Sequence, residues 1–168
     1  DNIAPAVYKN LVATINENLP LLHRYVDLRK KALGLDEIHL YDLYIPLAEG
    51  VDAEVPFPEA RSLIRAALEP LGEDYGRALA VGLDPANGWM DLYPHTDKRS
   101  GAFSASAYGP RPYVFMNYQD SLNDMSTLAH EFGHALHSEL AMNEQAYADF
   151  RYPPFLAEVA STCNESLL

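Results

Sequence analysis

Apolar residues recur at helical intervals over residues 4–33, where Leu11, Ile15, Leu19, Leu22, Tyr25, Val26, Leu28 and Leu33 mark a long helix. Pro20 falls inside this pattern and predicts an interruption; Gly34 supplies a stop. His23 lies on the same pattern and reads as a packed or surface histidine. Residues 37–45 have the look of an extended, half-buried segment, and Pro46, Pro56 and Pro58 mark a loop. Residues 58–82 carry a helical pattern broken near Pro70, Leu71 and Gly72. Asp84, Pro85, Asn87 and Gly88 then form a turn cluster.

The pattern changes period after the turn. Residues 89–93, 101–105 and 112–118 read as three short strands, the last rich in β-branched and aromatic side chains at Tyr113, Val114 and Phe115. Pro110 and Pro112 suit a strand start or an edge. An exposed edge there could take an extended peptide as one more strand. Residues 121–142 predict the clearest helix, capped by Ser121 or Asn123, with Leu122, Met125, Leu128, Ala129, Phe132, Ala135, Leu136 and Leu140 on an apolar side. Pro153 and Pro154 open a final helix that runs to the end. The chain therefore reads as mainly α with a small β-sheet: helical over 1–88, a small sheet over 89–118, and two helices over 119–168.

Composition adds little to this picture and removes several alternatives. Hydrophobic residues make up 48% of the 168 residues and charged ones 21%, as in ordinary globular chains. The net charge of -12 comes without a basic patch, which speaks against a nucleic-acid partner. No apolar run approaches the length of a membrane span. Cys163 is the only cysteine, so an internal disulfide is impossible, and a reduced, cytoplasmic setting is expected. The chain starts at Asp1 without Met and stops at Leu168 inside a helical pattern, which reads as a piece of a longer protein. Residues 121–168 hold Asp124, Glu131, Glu139, Glu144, Asp149, Glu158 and Glu165 against a single Arg151. A solvated acidic surface and a cleft that attracts cations both account for this.

The candidate chemistry lies at His130-Glu131-Phe132-Gly133-His134, a HExxH signature of zinc peptidases. Residues four apart share one helix face, so both imidazoles can reach one ion, and Glu131 between them can act on a metal-bound water. A catalytic zinc site needs a third protein ligand. His137 lies about 10 Å along the axis from His130, too far for both to converge on one ion, and fits a supporting neighbour. Glu158 and Glu165 are better placed, on a separate helix and two turns apart on one face; only one can ligate, and the other can support the shell. Spacing favours Glu158, with Glu165 and Asp149 left open.

Around this motif a family resemblance becomes specific. Residues 127–138 resemble the active-site helix of the M3 metallopeptidases, most closely the oligoendopeptidase F group, and residues 155–165 resemble that group's second signature. Residues 29–35, 41–44, 98–104 and 116–118 are also similar to the group, so the likeness spans almost the whole chain. The resemblance implies a mostly helical, zincin-like catalytic region with a small sheet beside the active-site helix and a deep substrate channel, of which residues 1–168 form one fragment. It implies one Zn²⁺ per chain, with His130, His134 and Glu158 as ligands and Glu131 as the catalytic base; Glu165 and His137 keep the supporting places that spacing gave them. By the same analogy Gly101, Ala102 and Phe103 are candidates for backbone contacts with substrate; a plain role in the sheet core explains them equally.

The implied activity is hydrolysis of internal bonds in short oligopeptides. Glu131 would accept the proton of the zinc-bound water and deliver it to the leaving amine. In the M3 family the tyrosine and histidine that stabilise the oxyanion follow the second signature near a glycine-rich loop, and this chain stops before that region. It is therefore expected to hold zinc more readily than to turn over by itself. Two other readings compete: a non-catalytic zinc- or peptide-binding module, against which the intact Glu131 argues, and an accidental HExxH in a structural domain, against which the ordered second signature argues.

Overall fold

The structure, a computed structural model, describes residues 3–47 and 53–168. The loop expected after Pro46 falls in part on residues 48–52, outside the described residues. The chain divides into two compact units, Asp1–Val51 and Asp52–Leu168.

The first unit is dominated by α1 (Pro5–Ala32), which has proline at its first position, where a missing N–H matters least. Against expectation the helix continues through Pro20. Proline forfeits one backbone bond, to the carbonyl of Asn16; that stretch is exposed, so solvent is at hand to take the bond's place. The periodic residues Leu11, Ile15, Leu22, Tyr25 and Leu28 are 43–58% exposed, so the apolar stripe is not a buried seam. Residues 40–44 correct a second expectation: the segment read as extended is a short 3-10 turn, Leu40–Tyr44. The His39 backbone N–H donates to Asp42 Oδ2 at 2.8 Å, which closes the turn locally. Arg29, buried at the end of α1, donates to the carbonyls of Ile45 (2.5 Å) and Asp42 (3.4 Å), satisfying the turn's free end.

The second unit holds the core. Helix α2 (Phe57–Ala67) and helix α3 (Glu73–Gly82) are separated by a 3-10 turn at Glu69–Leu71, where the Pro-Leu-Gly break was expected. Asp84 accepts from the Ala86 N–H and Gly88 takes a left-handed φ of 69°, which forms the predicted turn. Three strands follow: β1 (Met90–Asp91), β2 (Phe103–Ala105) and β3 (Tyr113–Phe115). Their order is β1-β3-β2, with β1 parallel to β3 and β2 antiparallel to it. Lys98, its side chain only 5% exposed, pins the connection between β1 and β2. Its ammonium donates to Asp91 Oδ1 and to the carbonyls of Asp91 and Tyr93, over the Phe115 ring.

Helix α4 (Leu122–Glu144) runs through the middle of this unit. Ser121 caps it reciprocally: its Oγ accepts from the Asp124 N–H, and Asp124 Oδ2 accepts from the Ser121 N–H. Tyr118 donates to the Val55 carbonyl at 2.6 Å, and the Val55 N–H donates to the Asp120 carbonyl at 2.7 Å, tying the unit's start to the cap. Leu128, Ala129, Phe132, Ala135 and Leu136 are fully buried against Ile64, Leu79, Leu83, Val114 and Met116. Helix α5 (Pro154–Leu167) packs along the other side of α4. The unit is mostly helical with a small sheet, as expected. Among the described residues no helix is long and apolar enough to cross a membrane.

Candidate metal centre

Helix α4 carries His130 and His134 on the face that meets α5, and their rings stand at 86° with Nε2 atoms 3.1 Å apart. Helix α5 brings Glu158 opposite them: its Oε2 lies 3.5 Å from each Nε2. The two helices approach this closely because residue 133 is glycine. A Cβ there would meet Ser161 Cα at 2.5 Å and the Ala160 carbonyl at 2.8 Å. Ser161, fully buried at that crossing, donates its hydroxyl to Glu158 Oε2 at 2.9 Å. Among the described residues His130, His134 and Glu158 form the one group able to hold a metal ion.

The donor set fits a zinc-like ion. Ligands at 2.0–2.1 Å in a tetrahedron sit about 3.3 Å from one another, close to the three separations found here. His130 Nδ1 lies 2.6 Å from Glu165 Oε1, and His134 interacts with the Ala157 backbone carbonyl, which favours its protonated form. In the tautomer with Nδ1 carrying the hydrogen on both rings, the one a metal held between them needs, the two Nε2 lone pairs face each other and a carboxylate oxygen. Such a cluster of acceptors is repulsive unless a cation lies between them. Burial holds the pKa of His134 below its ordinary value, with His130 acting the same way, against the pull of Glu158 and Ala157. A neutral imidazole is the form that ligates metal.

Glu131 is buried next to this group. Burial raises its pKa, and the Glu158 carboxylate raises it further; His130 and the Ser104 backbone N–H work in the opposite direction. The Ser104 contact sets strand β2 beside the carboxylate.

The other residues singled out from sequence fall in different places. Glu165 meets His130, as described. His137 is apart from the three donors, stacked on Tyr152 with ring centres 3.7 Å apart. Tyr152 in turn reaches Ser138 Oγ at 2.7 Å and the His134 carbonyl at 3.4 Å. Asp149 is exposed and outside the group. Gly101 is exposed with φ 93°, and its carbonyl accepts from Asn117. Gly101 and Ala102 line a hollow of about 570 Å³ that includes Lys98, Asn117 and Thr127 but none of the three donors. Phe103 stacks on Phe115 within the sheet, with the Arg99 guanidinium over its ring.

The sequence profile of Peptidase family M3 matches residues 1–168. This chain belongs to that family. Among M3 relatives it is 49% identical over its full length to Oligopeptidase PepF of Bacillus subtilis and 44% identical to the Oligoendopeptidase F homolog of Borreliella burgdorferi, covering 25% and 28% of those proteins. It spans about a quarter of the length of the curated relatives it matches. The crystal structure of a putative peptidase from Chlamydophila abortus superposes with a TM-score of 0.86 at 42% identity, over 99% of this chain and 27% of that one.

Several residues that shape the site in this M3 chain were not singled out from sequence. Ser161 stands three positions after Glu158, on the face that also carries Glu165, so helical spacing alone could have found it. Asn164 and Tyr75 gave no such signal. The Asn164 amide donates to the Ala129 carbonyl at 2.9 Å and accepts from the Tyr75 hydroxyl at 2.8 Å, contacts that exist only once three helices have packed.

Proposed function

We propose that the protein containing this sequence is a zinc-dependent endopeptidase that hydrolyses internal bonds of short oligopeptides. The observation that carries the reading is the convergence of His130, His134 and Glu158 from two helices beside a buried Glu131. Membership of family M3 supports it, as does the oligopeptidase name of the B. subtilis relative. One zinc ion, held by the three donors, would supply Lewis-acid chemistry, polarising a carbonyl and lowering the pKa of water.

The chain's own residues would do the rest. Glu131 accepts a proton from the attacking water and delivers it to the leaving amine nitrogen. Burial raises its proton affinity, the direction a base needs; a cation bound nearby pulls the other way. Glu165 and the Ala157 carbonyl hold the imidazoles in the tautomer that presents Nε2 inward. Gly101, Ala102 and Phe103 are proposed as backbone contacts for an extended peptide, because the strand they enter passes Glu131 at Ser104. Residues 119–168 would then be the zinc-holding part of a larger catalytic domain, in keeping with a chain that spans about a quarter of its relatives' length.

The test uses the full-length protein. Elemental analysis should find one zinc per chain, and a quenched oligopeptide should be cut in mid-chain and spared after chelation. Glu131→Gln should lower turnover by at least about a hundredfold while zinc stays bound. Persistent cleavage by that variant would remove Glu131 from the role of base. Glu158→Ala should weaken zinc binding sharply; unchanged affinity would remove Glu158 from the ligand set and leave Glu165 as the carboxylate in reach of the histidines.

A further inference from the structure

The donors come from two helices, so the site depends on how α5 is set against α4, both in separation and in register. Gly133 permits the separation. A side chain hydrogen-bonded to none of the donors ties the same two helices together. Asn164 is 1% exposed and sits one residue before Glu165. Its Nδ2 donates to the Ala129 carbonyl of α4 at 2.9 Å, one residue before His130. Its Oδ1 accepts from Tyr75 of α3 at 2.8 Å. The orientation of the amide is forced, because a carbonyl can only accept and must face the NH₂ group. Tyr75 is half-buried, and burial raises its pKa, so its hydroxyl stays protonated as a donor.

We propose that Asn164, clamped by Tyr75, is a positioning residue that sets the register of α5 on α4 and so places Glu158 and Glu165 against the two histidines. The bond from Asn164 to Ala129 fixes the α4 turn that begins the HExxH run. The bond from Tyr75 prevents the amide from rotating and anchors the pair to a third helix. Slippage of α5 along α4 would move Glu158 Oε2 from Nε2 and Glu165 from Nδ1 together, since both ride on one rigid helix. A carboxylate at position 164 would turn the donor facing Ala129 into an acceptor while keeping the volume. A leucine would fill the space with no polar contact.

This assignment rests on the metal-centre reading, and the experiment separates the two. Zinc affinity is measured on full-length protein by chelator competition, and the visible spectrum of the cobalt-substituted protein reports donor geometry independently of turnover. Asn164→Asp and Asn164→Leu should each raise the zinc dissociation constant about 10–100-fold, the range for groups that orient ligands, and shift the cobalt bands. Tyr75→Phe, which removes a single oxygen and leaves the fold least disturbed, should show about a tenfold loss at the low end of that range. If the Asn164 variants fold too poorly to assay, Tyr75→Phe decides alone. A lowered melting temperature with unchanged zinc affinity and an unchanged cobalt spectrum in the folded variants would reduce Asn164 to packing and overturn the proposal. A parent protein that takes up no zinc, or that binds it equally well with Glu158→Ala, would overturn the metal-centre reading and this assignment with it.

Discussion

Gly133→Ala adds one methyl group at the crossing of α4 and α5. Its carbon would lie 2.5 Å from Ser161 Cα and 2.8 Å from both the Ser161 nitrogen and the Ala160 oxygen. Carbon atoms pack at about 3.5–4.0 Å, so α5 must retreat by about 1 Å or more, because the obstacles are backbone atoms without a rotamer to change. Overpacking of this kind costs about 1–3 kcal/mol, and the better helix propensity of alanine returns about 1 kcal/mol. The net loss of fold stability is therefore expected to be small, about 0–2 kcal/mol. The effect on the ion should be larger. Metal–ligand distances tolerate only about 0.2 Å, and Ser161, which holds Glu158 Oε2, moves with the displaced helix. Zinc affinity of full-length Gly133→Ala, read by chelator competition, should fall by about tenfold or more, in line with other losses of ligand support. Gly76→Ala is the control: it sits within α3 with nothing within 4 Å of the added carbon and should stabilise by up to about 1 kcal/mol without touching zinc. A Gly133→Ala protein that binds zinc within about twofold of the parent would refute the claim that this close crossing sets the site.

Glu165→Gln keeps the size of the side chain and removes the charge facing His130 Nδ1. It should weaken zinc binding about 10–100-fold, and an affinity unchanged by isothermal titration would remove Glu165 from the site. Burial pushes the Tyr118 pKa up to about 12, with Asp120, Asp124, Tyr93 and Glu59 adding to the rise. The folded chain thus keeps this proton where the unfolded chain, titrating near 10, loses it. Stability from this group is intact below pH 10 and falls as pH climbs towards 12, by up to about 2–3 kcal/mol. Urea titrations at pH 9, 10 and 11 should show that decline and show it reduced in Tyr118→Phe. That variant also loses the bond to Val55, worth about 1 kcal/mol; an equal decline in both proteins would assign the effect to other groups.

The parts of the fold visible in sequence are those decided by short-range pattern. The Pro-Leu-Gly break between α2 and α3, the turn at Gly88, the three strands, the Ser121 cap and the face shared by His130 and His134 all follow from residues near one another in the chain. The errors arose where a local pattern had two physical solutions. Residues 37–45 alternate like a strand, but the Asp42 carboxylate closes a turn on the His39 N–H instead. Pro20 lies in a helix whose surroundings leave room for solvent. Spacing ranked Glu158 over Glu165 without deciding between them; their different partners, Nε2 of both rings and Nδ1 of one, depend on the depth at which α5 crosses α4. The same crossing explains why Asn164, Tyr75 and the Ala157 carbonyl were invisible.

Neither α4 nor α5 carries a complete set of donors, so under the proposed function loading an ion and docking the two helices would belong to one equilibrium. An ion present at a hundred times its dissociation constant would add about 2.7 kcal/mol to the unfolding free energy. Coupling of this kind is reciprocal. Loosening α5 anywhere along its length should surface as leakier metal retention, and stripping the ion should surface as a lower melting temperature. Preparations that differ only in trace zinc would then look like proteins of different robustness.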